Sequence, residues 1–231
     1  MDNTFRDIQF GIANEFSLLV EKIGGDAKRL FEIANSGYKR TNLAKPGLVG
    51  GPCLEKDPHI LLESARDLGV DLPMTRSARF INENMLGHGI EKMKTYFLSH
   101  EKPIRKIAVL GMAFKGNPET SDMRGSLAQP LVKELSRWAP NAKIFAYDLH
   151  VAERDVSRLE CTLSQDLLEV VNGAELCIFQ HDAKYLKGLD LNFISSVMAR
   201  SGLVYDYWTL FNKEMLELSN DVSYLNYGGG N

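Results

Sequence analysis

The sequence predicts an all-helical unit followed by an open parallel α/β domain. From Asp2 to about His100, apolar residues recur every three or four positions, which is the period of an amphipathic helix. After about residue 104, short runs rich in β-branched and aromatic residues alternate with helical stretches. Such alternation is typical of a parallel sheet with right-handed crossover helices. We therefore expect two domains, residues 1–100 and residues 104–231.

Four helices are predicted in the first half, each bounded by caps or breakers. Helix 1 carries an apolar stripe formed by Phe5, Ile8, Ile12, Phe16, Leu19 and Ile23, and Gly24-Gly25 ends it. Asp26 is expected to cap a second helix that ends by Gly37. Asp57-Pro58 is typical of a cap and a first-turn proline, and predicts a third helix to about Leu68. Pro73 begins a long fourth helix that continues to Phe97.

Four strands are predicted in the second half, at "KIAVLG", "KIFAYD", "LCIFQHD" and "LVYDYW". The helices between them are predicted at Leu127 to Trp138, Leu163 to Asn172 and Leu191 to Ala199. In open sheets of this kind, ligands bind beyond the carboxyl ends of the strands. The tail "YGGGN" is expected to be loose.

Composition excludes several classes of protein. The 231 residues are 44% hydrophobic and carry a formal net charge of -3, so neither nucleic acid nor an anionic membrane is an expected partner. The start has no signal-peptide pattern, and no apolar run is long enough to cross a bilayer. Three separated cysteines, Cys53, Cys161 and Cys177, indicate reduced thiols in the cytoplasm rather than disulfides or a zinc site.

The loop "GLVGGPCLEKDP", residues 47 to 58, is the most informative stretch of the chain. Gly50 and Gly51 permit backbone conformations that other residues resist. Cys53 stands just before the third helix and near Lys56, and both the helix dipole and that charge would favour the thiolate form. The alternative is a small buried apolar residue in a turn. The loop alone leaves both interpretations open.

Several ordered motifs together resemble one enzyme family. These motifs are "NTFRDIQFGIANE", "YKRTN", "KPG", "GGPC" and "IAVLGMAFKGNPETSDMRGS". In this order, from Asp2 to about Phe211, they resemble the central and C-terminal domains of the UDP-glucose/GDP-mannose dehydrogenase family. The resemblance implies a helical dimerisation domain and a Rossmann-like nucleotide-sugar domain. It also implies an NAD-dependent oxidation of C6 of a nucleotide sugar from alcohol to acid.

The resemblance assigns three catalytic residues. Cys53 matches the nucleophile, whose thiohemiacetal is oxidised to a thioester that water hydrolyses. Asp57 matches an aspartate that positions or activates this water, and Asn3 an asparagine near the reacting sugar oxygen. The alternative for both Asp57 and Asn3 is a helix N-cap. A family lysine one turn before Asn3 has no counterpart here.

The resemblance also implies substrate-binding residues. Arg40 matches an arginine that reaches a neighbouring subunit's substrate, and its alternative is a solvated loop charge. Backbone groups of residues 45–51, including Gly47, Gly50 and Gly51, would surround the sugar. Phe114 and Lys115 would contact the nucleotide sugar at the edge of the sheet. The spacing from Arg40 to Cys53 resembles the branch that acts on UDP-N-acetylmannosamine or UDP-N-acetylglucosamine, with UDP-glucose as the next choice.

Two residues are implied to contact NAD, namely Lys56 and Arg124. For Lys56 a surface charge is an equal alternative, and the loop before Arg124 is about two residues longer than the family pattern. The chain contains no strand-GxGxxG-helix unit, so the main NAD site would require a further domain of about 150 to 200 residues. We therefore expect the chain to need an N-terminal NAD-binding domain or chain, and to be inactive alone.

Two functions are compatible with these residues. The first is the C-terminal portion of a UDP-sugar 6-dehydrogenase that serves surface polysaccharide synthesis. The second is a non-catalytic, dimerising module that binds a nucleotide sugar. A reactive thiol favours the first, because a pure binder gains nothing from it. Phe10 and Val20 lie off the apolar stripe of helix 1, so a homodimer through this helix is expected. The alternative is burial of the stripe against the 73–97 helix.

Overall fold

The computed structural model describes residues 1–37 and 40–229. The chain divides into two compact units. The first comprises Met1–Gly87 together with the last residues of the chain from Tyr227, and the second comprises His88–Asn226. The division falls inside a long helix rather than in a linker.

The first unit is helical, as the apolar period predicts. Its helices are α1 (Asp2–Lys22), α2 (Ala27–Asn35), α3 (Asp57–Asp67) and the first part of α4 (Pro73–Ser99). The Asp26 side chain accepts a hydrogen bond from the Arg29 amide at 3.0 Å, so the predicted cap of α2 is confirmed. The predicted cap of α3 is wrong by one position. Lys56 occupies the N-cap position, Asp57 is already helical, and its carboxylate is bound elsewhere.

Helix α1 buries the opposite face from the one that its apolar stripe suggests. Its buried residues are Thr4, Asp7, Gly11, Ala13, Asn14, Ser17 and Val20. In contrast, Phe5, Leu19 and Ile23 of the stripe are 60%, 63% and 75% exposed. The physical reason lies at Gly11, where an added Cβ would stand 2.7 Å from the Ala78 Cβ. The small face of α1 thus fits closely against α4, and α4 does not cover the apolar stripe.

The second unit is built on a six-stranded parallel sheet. The strands are β1 (Lys106–Leu110), β2 (Lys143–Tyr147), β3 (Thr162–Ser164), β4 (Leu176–Phe179), β5 (Leu203–Asp206) and β6 (Ser223–Asn226). Their order is β3-β2-β1-β4-β5-β6, and every neighbouring pair is parallel. This order reverses at β1 and β4, which is the Rossmann-like arrangement. The predicted fold class is confirmed, although β3 and β6 were not predicted.

Helices and turns connect the strands. They are α5 (Ala128–Trp138), α6 (Glu153–Val156), α7 (Leu167–Val171), α8 (Lys184–Lys187), α9 (Leu191–Val197) and a short 3-10 helix (Lys213–Met215). The predicted helix from Leu163 to Asn172 is wrong at its start. Thr162–Ser164 pairs with β2 instead, and Asp166 then caps α7 by accepting the Leu168 amide at 2.9 Å.

Tyr227 to Gly229 are ordered, contrary to the prediction of a loose tail, and the last two residues of that tail lie outside the described residues. Tyr227 is 2% exposed, and its hydroxyl donates to the Asn14 carbonyl at 3.0 Å. The Gly228 amide donates to the Glu21 carboxylate at 3.2 Å. A buried aromatic ring holds this part of the tail, and glycine content alone does not reveal such a contact. Within residues 1–37 and 40–229, no helix has the length and apolar character to span a bilayer.

Candidate functional site

Cys53 lies in a hydrogen-bonded turn directly before α3. The Asp57 and Lys56 amides donate to the Cys53 carbonyl at 2.9 and 3.3 Å, and the Glu55 amide donates to the Gly51 carbonyl at 3.1 Å. Gly51 has a φ of +99°, a backbone conformation that favours glycine. The second glycine of the "GGPC" motif therefore occupies the position of the turn that needs this conformation. The Cys53 side chain is exposed. The alternative interpretation, in which Cys53 is a buried apolar residue, is therefore wrong.

Asn3 and Asp57 are brought together although 54 positions separate them. The Asn3 amide donates to Asp57 Oδ2 at 2.7 Å, and Lys56 Nζ lies 3.4 Å from Asp57 Oδ1. Asn3 is inside α1, whose N-cap position is Met1, so the N-cap alternative for Asn3 is not realised. The Asn3 hydrogen bond, with help from Lys56, lowers the pKa of Asp57 below its ordinary value. Asp57 is thus an ionised acceptor four residues after the thiol.

The stretch before Cys53 is held from the helices of the same unit. The Gly47 amide donates to Asn14 Oδ1 at 2.9 Å, and Asn14 Nδ2 donates back to the Gly47 carbonyl at 3.1 Å. Gly51 is buried and Gly50 is half-buried. Arg40 is an exposed turn residue. Tyr38 and Lys39 of the "YKRTN" motif lie outside the described residues.

The sequence reasoning missed a buried ion pair beside this loop. Arg79 Nη1 donates to Asp7 Oδ1 at 2.5 Å and to the Leu54 carbonyl at 2.9 Å. Burial raises the pKa of Asp7, while Arg79 opposes that rise. One signal could have found the pair: Asn3, Asp7 and Asn14 share a helical face, at spacings of four and seven, so α1 carries a polar stripe as well as an apolar one.

In the second unit, Phe114 and Lys115 follow β1 at the carboxyl edge of the sheet, where ligands of such sheets bind. Both are half-buried, and Lys115 Nζ lies 5.2 Å from the centroid of the Phe114 ring. At Gly116 an added Cβ would lie 2.0 Å from the Ala183 nitrogen. The loops after β1 and β4 are therefore in backbone contact at this edge.

The glycine turn after β1 is occupied by a buried carboxylate. The Met112 and Ala113 amides donate to Asp148 Oδ2 at 2.7 and 3.3 Å. An added Cβ at Gly111 would collide with the His181 ring, whose Nε2 lies 3.5 Å from Asp148 Oδ2. Burial alone would raise the pKa of Asp148, but His181 and the amides hold it well below its ordinary value. In dinucleotide-binding turns such amides face a phosphate, whereas here both amides already donate to Asp148.

The two residues implied to contact NAD are both exposed. The Lys56 side chain is 64% exposed, and that of Arg124 is 79% exposed. The guanidinium of Arg124 binds Asp122 through Nε and Nη2, at 3.0 and 2.7 Å from the two carboxylate oxygens. This contact lowers the pKa of Asp122. Among the described residues, no group of histidines, cysteines and carboxylates has the geometry to hold a metal ion.

Comparison with known families matches both parts of the chain. Residues 1–84 match the model of the UDP-glucose/GDP-mannose dehydrogenase family, central domain. Residues 108–213 match the model of the same family's UDP binding domain. The two matches occur in the order in which the two units follow each other.

Individual relatives are similar over most of the chain. UDP-N-acetyl-D-mannosamine dehydrogenase of Pyrococcus horikoshii is 34% identical over 204 residues, which are 86% of this chain and 44% of the relative. The enzyme of that name from Methanocaldococcus jannaschii is 29% identical over 94% of this chain and 47% of the relative. The chain thus spans about half the length of these curated relatives.

Solved structures agree with this similarity. A structure of UDP-D-ManNAc dehydrogenase from Pyrococcus horikoshii superposes with a TM-score of 0.82 at 30% identity, covering 99% of this chain and 50% of that one. The NDP-N-acetyl-D-galactosaminuronic acid dehydrogenase from Methanosarcina mazei has a TM-score of 0.83 at 23% identity, covering 99% of this chain and 49% of that one. The second comparison supports the fold alone.

Proposed function

Because this chain belongs to the UDP-glucose/GDP-mannose dehydrogenase family, we propose that it is the C-terminal portion of an NAD-dependent UDP-sugar 6-dehydrogenase. One observation carries the proposal. An exposed thiol at Cys53 is followed four residues later by an ionised carboxylate at Asp57, which Asn3 holds at 2.7 Å. A module that only binds a nucleotide sugar has no use for this constellation.

The residues of this chain then have distinct roles. Cys53 Sγ adds to the C6 aldehyde and holds C6 covalently until the thioester is hydrolysed. The hydrolytic water is positioned by Asp57, because an ionised carboxylate accepts a hydrogen bond from water and can take its proton. Asn3 holds that carboxylate and donates near the reacting sugar oxygen. Hydrolysis releases the C6 carboxylate and restores the thiol.

The nucleotide sugar is proposed to be a UDP-N-acetylhexosamine, with N-acetylmannosamine first and UDP-glucose next. The similarity to enzymes named UDP-N-acetyl-D-mannosamine dehydrogenase supports this order. Phe114 and Lys115 are assigned to the nucleotide sugar. Arg40 and the backbone of Gly47, Gly50 and Gly51 are assigned to substrate binding in the helical unit. The product would serve surface polysaccharide synthesis.

NAD is proposed to be bound mainly by an N-terminal domain or a partner chain. The Met112 and Ala113 amides of the βα turn in the second unit are not available to a dinucleotide phosphate, because Asp148 already accepts them. The nucleotide sugar is assigned to the side chains of Phe114 and Lys115, not to these amides. Lys56 and Arg124 are proposed as peripheral contacts only. When bound, NAD is the oxidant that accepts hydride from C6. This chain by itself is expected to be inactive.

A homodimer through α1 is part of the proposal. The exposed stripe of α1 includes Phe5, Phe16, Leu19 and Ile23, and an exposed apolar stripe of this kind is expected to be buried against another protein surface.

A cytoplasmic setting is also part of the proposal. The three cysteines of the described structure are free thiols, which fits a reducing compartment.

Calorimetric titration tests the proposal. The purified chain is titrated with UDP-N-acetylmannosamine, UDP-N-acetylglucosamine, UDP-glucose and NAD, and NADH production is assayed in parallel. We expect binding of a UDP-sugar without turnover. Lys115→Ala should weaken that binding by about 10-fold or more, whereas Lys133→Ala, an exposed lysine on α5, should not. Failure of every UDP-sugar to bind would refute the substrate assignment, and turnover by the chain alone would refute the requirement for a further domain.

A reconstituted enzyme tests the chemistry. Supplying an NAD-binding domain from a relative should restore NADH production, and Cys53→Ala should abolish it while UDP-sugar binding persists. If the reconstituted protein binds the sugar but Cys53→Ala leaves its activity unchanged, the nucleophile assignment is wrong. If it binds the sugar and shows no activity in any combination, the non-catalytic module is the better description.

A further inference from the structure

A continuous set of buried polar side chains lies between α1 and α4. Asp7 and Asn14 come from α1, and Arg79 and Asn82 come from α4; all four are at most 3% exposed. Asn82 Nδ2 donates to Asp7 Oδ1 at 2.9 Å, and Asn14 Nδ2 donates to Asn82 Oδ1 at 2.9 Å. The Arg79 and Asp7 ion pair completes the set. We call these four residues the polar clamp.

The polar clamp binds the backbone on both sides of Cys53. Asn14 makes two hydrogen bonds with Gly47, one from the Gly47 amide and one to its carbonyl, at 2.9 and 3.1 Å. Arg79 Nη1 donates to the carbonyl of Leu54, the residue directly after Cys53, at 2.9 Å. The segment 47–54 is therefore fixed near both of its ends by side chains from two helices.

Contacts from the same helices extend to the first turn of α3. Arg79 Nε lies 3.2 Å from Glu83 Oε1, and His59 Nε2 lies 2.8 Å from the same oxygen. Together with the bond from Asn3 to Asp57, these contacts hold the chain at positions 47, 54, 57 and 59. The thiol and the carboxylate four residues later lie within this held segment.

Stability alone does not explain the polar clamp. Replacing a buried ion pair by well-packed apolar residues is often neutral or stabilising. The set is also incompletely satisfied, because Asp7 Oδ2 has no hydrogen-bond partner among the described residues. The crossing of α1 and α4 is already closely packed at Gly11 and Ala78. What an apolar replacement could not supply is the set of hydrogen bonds to Gly47 and Leu54.

We propose that Arg79 and Asn14 are positioning residues that fix the backbone of residues 47–54 and thereby set the place of the Cys53 thiol. The inference rests on the proposed function, because fixing residues 47–54 matters for activity only if Cys53 is the nucleophile. It does not make either residue a catalytic group. Neither residue needs to touch substrate.

Amide hydrogen exchange on the whole chain tests the proposal. The amides of Glu55, Lys56 and Asp57 have their acceptors at Gly51 and Cys53, so their protection reports the order of the turn. The main variant combines Asp7→Asn with Arg79→Met, which removes the ion pair without leaving an unpaired buried charge. We expect exchange at residues 55–57 to rise by about 10-fold or more, with the sheet amides unchanged.

Two further variants complete the test. Arg79→Lys keeps a cation for Asp7 and a donor for Leu54, so we expect it to fold and to give intermediate exchange, which keeps the test decisive if the double variant is unstable. Arg76→Met removes an exposed arginine one turn earlier on α4, paired with Asp71, and should change nothing at residues 55–57. A nitroxide attached to Cys53 in a Cys161→Ser background should show the greatest mobility in the double variant, intermediate mobility in Arg79→Lys and wild-type mobility in Arg76→Met.

The outcomes separate the positioning role from the proposed function. If the double variant folds and retains wild-type exchange and nitroxide mobility, the positioning role is overturned. If the double variant does not fold, wild-type exchange and nitroxide mobility in Arg79→Lys overturn it. Neither readout requires a nucleotide sugar or NAD. A failure of the binding and turnover assays would therefore reject the proposed function while leaving the effect of the polar clamp on the turn measurable.

Discussion

At the scale of single residues, the hydrogen bond from Asn3 to Asp57 joins the first turns of α1 and α3. A carboxylate that accepts an amide hydrogen bond and lies beside an ammonium group stays ionised to lower pH. The lowered pKa of Asp57 therefore depends on a residue that is distant in sequence. This dependence can be measured directly.

We expect Asn3→Ala to raise the pKa of Asp57 toward its ordinary value of about 3.9. The carboxyl carbon of Asp57 can be titrated by NMR. Because the folded-state pKa is lowered, the bond stabilises the protein above the ordinary carboxyl pKa, and its contribution disappears as pH falls through the folded-state value. Asn84→Ala is the control, since the Asn84 side-chain amide donates to the Phe80 carbonyl on an exposed surface. An unchanged Asp57 titration in Asn3→Ala would reject the coupling.

The three cysteines should differ strongly in reactivity. Burial raises the pKa of Cys161 to about 11 and raises that of the fully buried Cys177 further. Cys53 is exposed. With limiting iodoacetamide near neutral pH, we expect Cys53 to be alkylated about 10-fold faster than Cys161 or more, because the thiolate is the reactive form and access is open. Peptide mass spectrometry measures the rates, and equal rates in the folded protein would contradict the structure.

The sequence points to some of these residues as candidates and not to others, for a physical reason. Cys53 and Asp57 stand close together in a glycine-rich loop, so the resemblance to a family motif can single them out as candidates, although the loop alone leaves the role of Cys53 open. Arg79 and Asp148 act on backbone groups of distant residues, namely the Leu54 carbonyl and the Met112 amide. Backbone partners leave no mark in the sequence, so only the fold identifies them.

At the scale of elements, α1 shows that periodicity identifies a helix without identifying its buried side. Two stripes run along it, and the larger apolar residues lie on the exposed one. The buried stripe contains Gly11 and Ala13, which permit close packing, and polar residues with partners on α4. Strands β3 and β6 escaped prediction because they are three and four residues long and contain polar residues at the edges of the sheet.

The exposed stripe of α1 should mediate self-association. We expect Leu19→Glu to weaken the proposed homodimer by at least about 10-fold, since it would place a charge in an apolar contact. Light scattering coupled to size-exclusion chromatography measures the mass over a concentration series. Leu68→Glu, at a position 80% exposed after α3, is the matched control and should leave the dimer intact. A monomeric wild-type protein at all concentrations would reject the interface.

A pair of glycine substitutions tests the contact between α1 and α4. At Gly11 an added Cβ would meet the Ala78 Cβ and Cα at 2.7 and 2.8 Å, so the backbone would have to move. We expect Gly11→Ala to reduce the free energy of unfolding by about 1–3 kcal/mol. Gly87 lies within α4 with no atom within 4 Å of an added Cβ. Gly87→Ala should therefore stabilise by about 0.5–1 kcal/mol. Urea unfolding measures both, and equal effects would contradict the packing.

At the scale of the whole molecule, residues 227–229 belong to the same unit as α1. The second unit accounts for His88–Asn226, and the residues from Tyr227 return to the helices of the first. The buried Tyr227 ring and its bond to Asn14 thus contribute to the unit that carries Cys53, not to the sheet that precedes Tyr227 in sequence. A domain boundary placed from the pattern of predicted helices and strands alone assigns Tyr227 and the residues after it to the α/β domain.

Truncation after Asn226 should therefore act at a distance along the chain. We expect loss of Tyr227 to lower the protection of α1 amides and the unfolding temperature of the helical unit, because a ring that is 2% exposed no longer fills its place. Sheet amides of β1 and β4 should keep their protection. Tyr227→Phe keeps the ring and removes the hydroxyl that donates to Asn14, so it should cost only about 1 kcal/mol. Hydrogen exchange and calorimetry measure these effects. Equal loss of protection in the helices and in the sheet would mean that the tail does not belong to the helical unit.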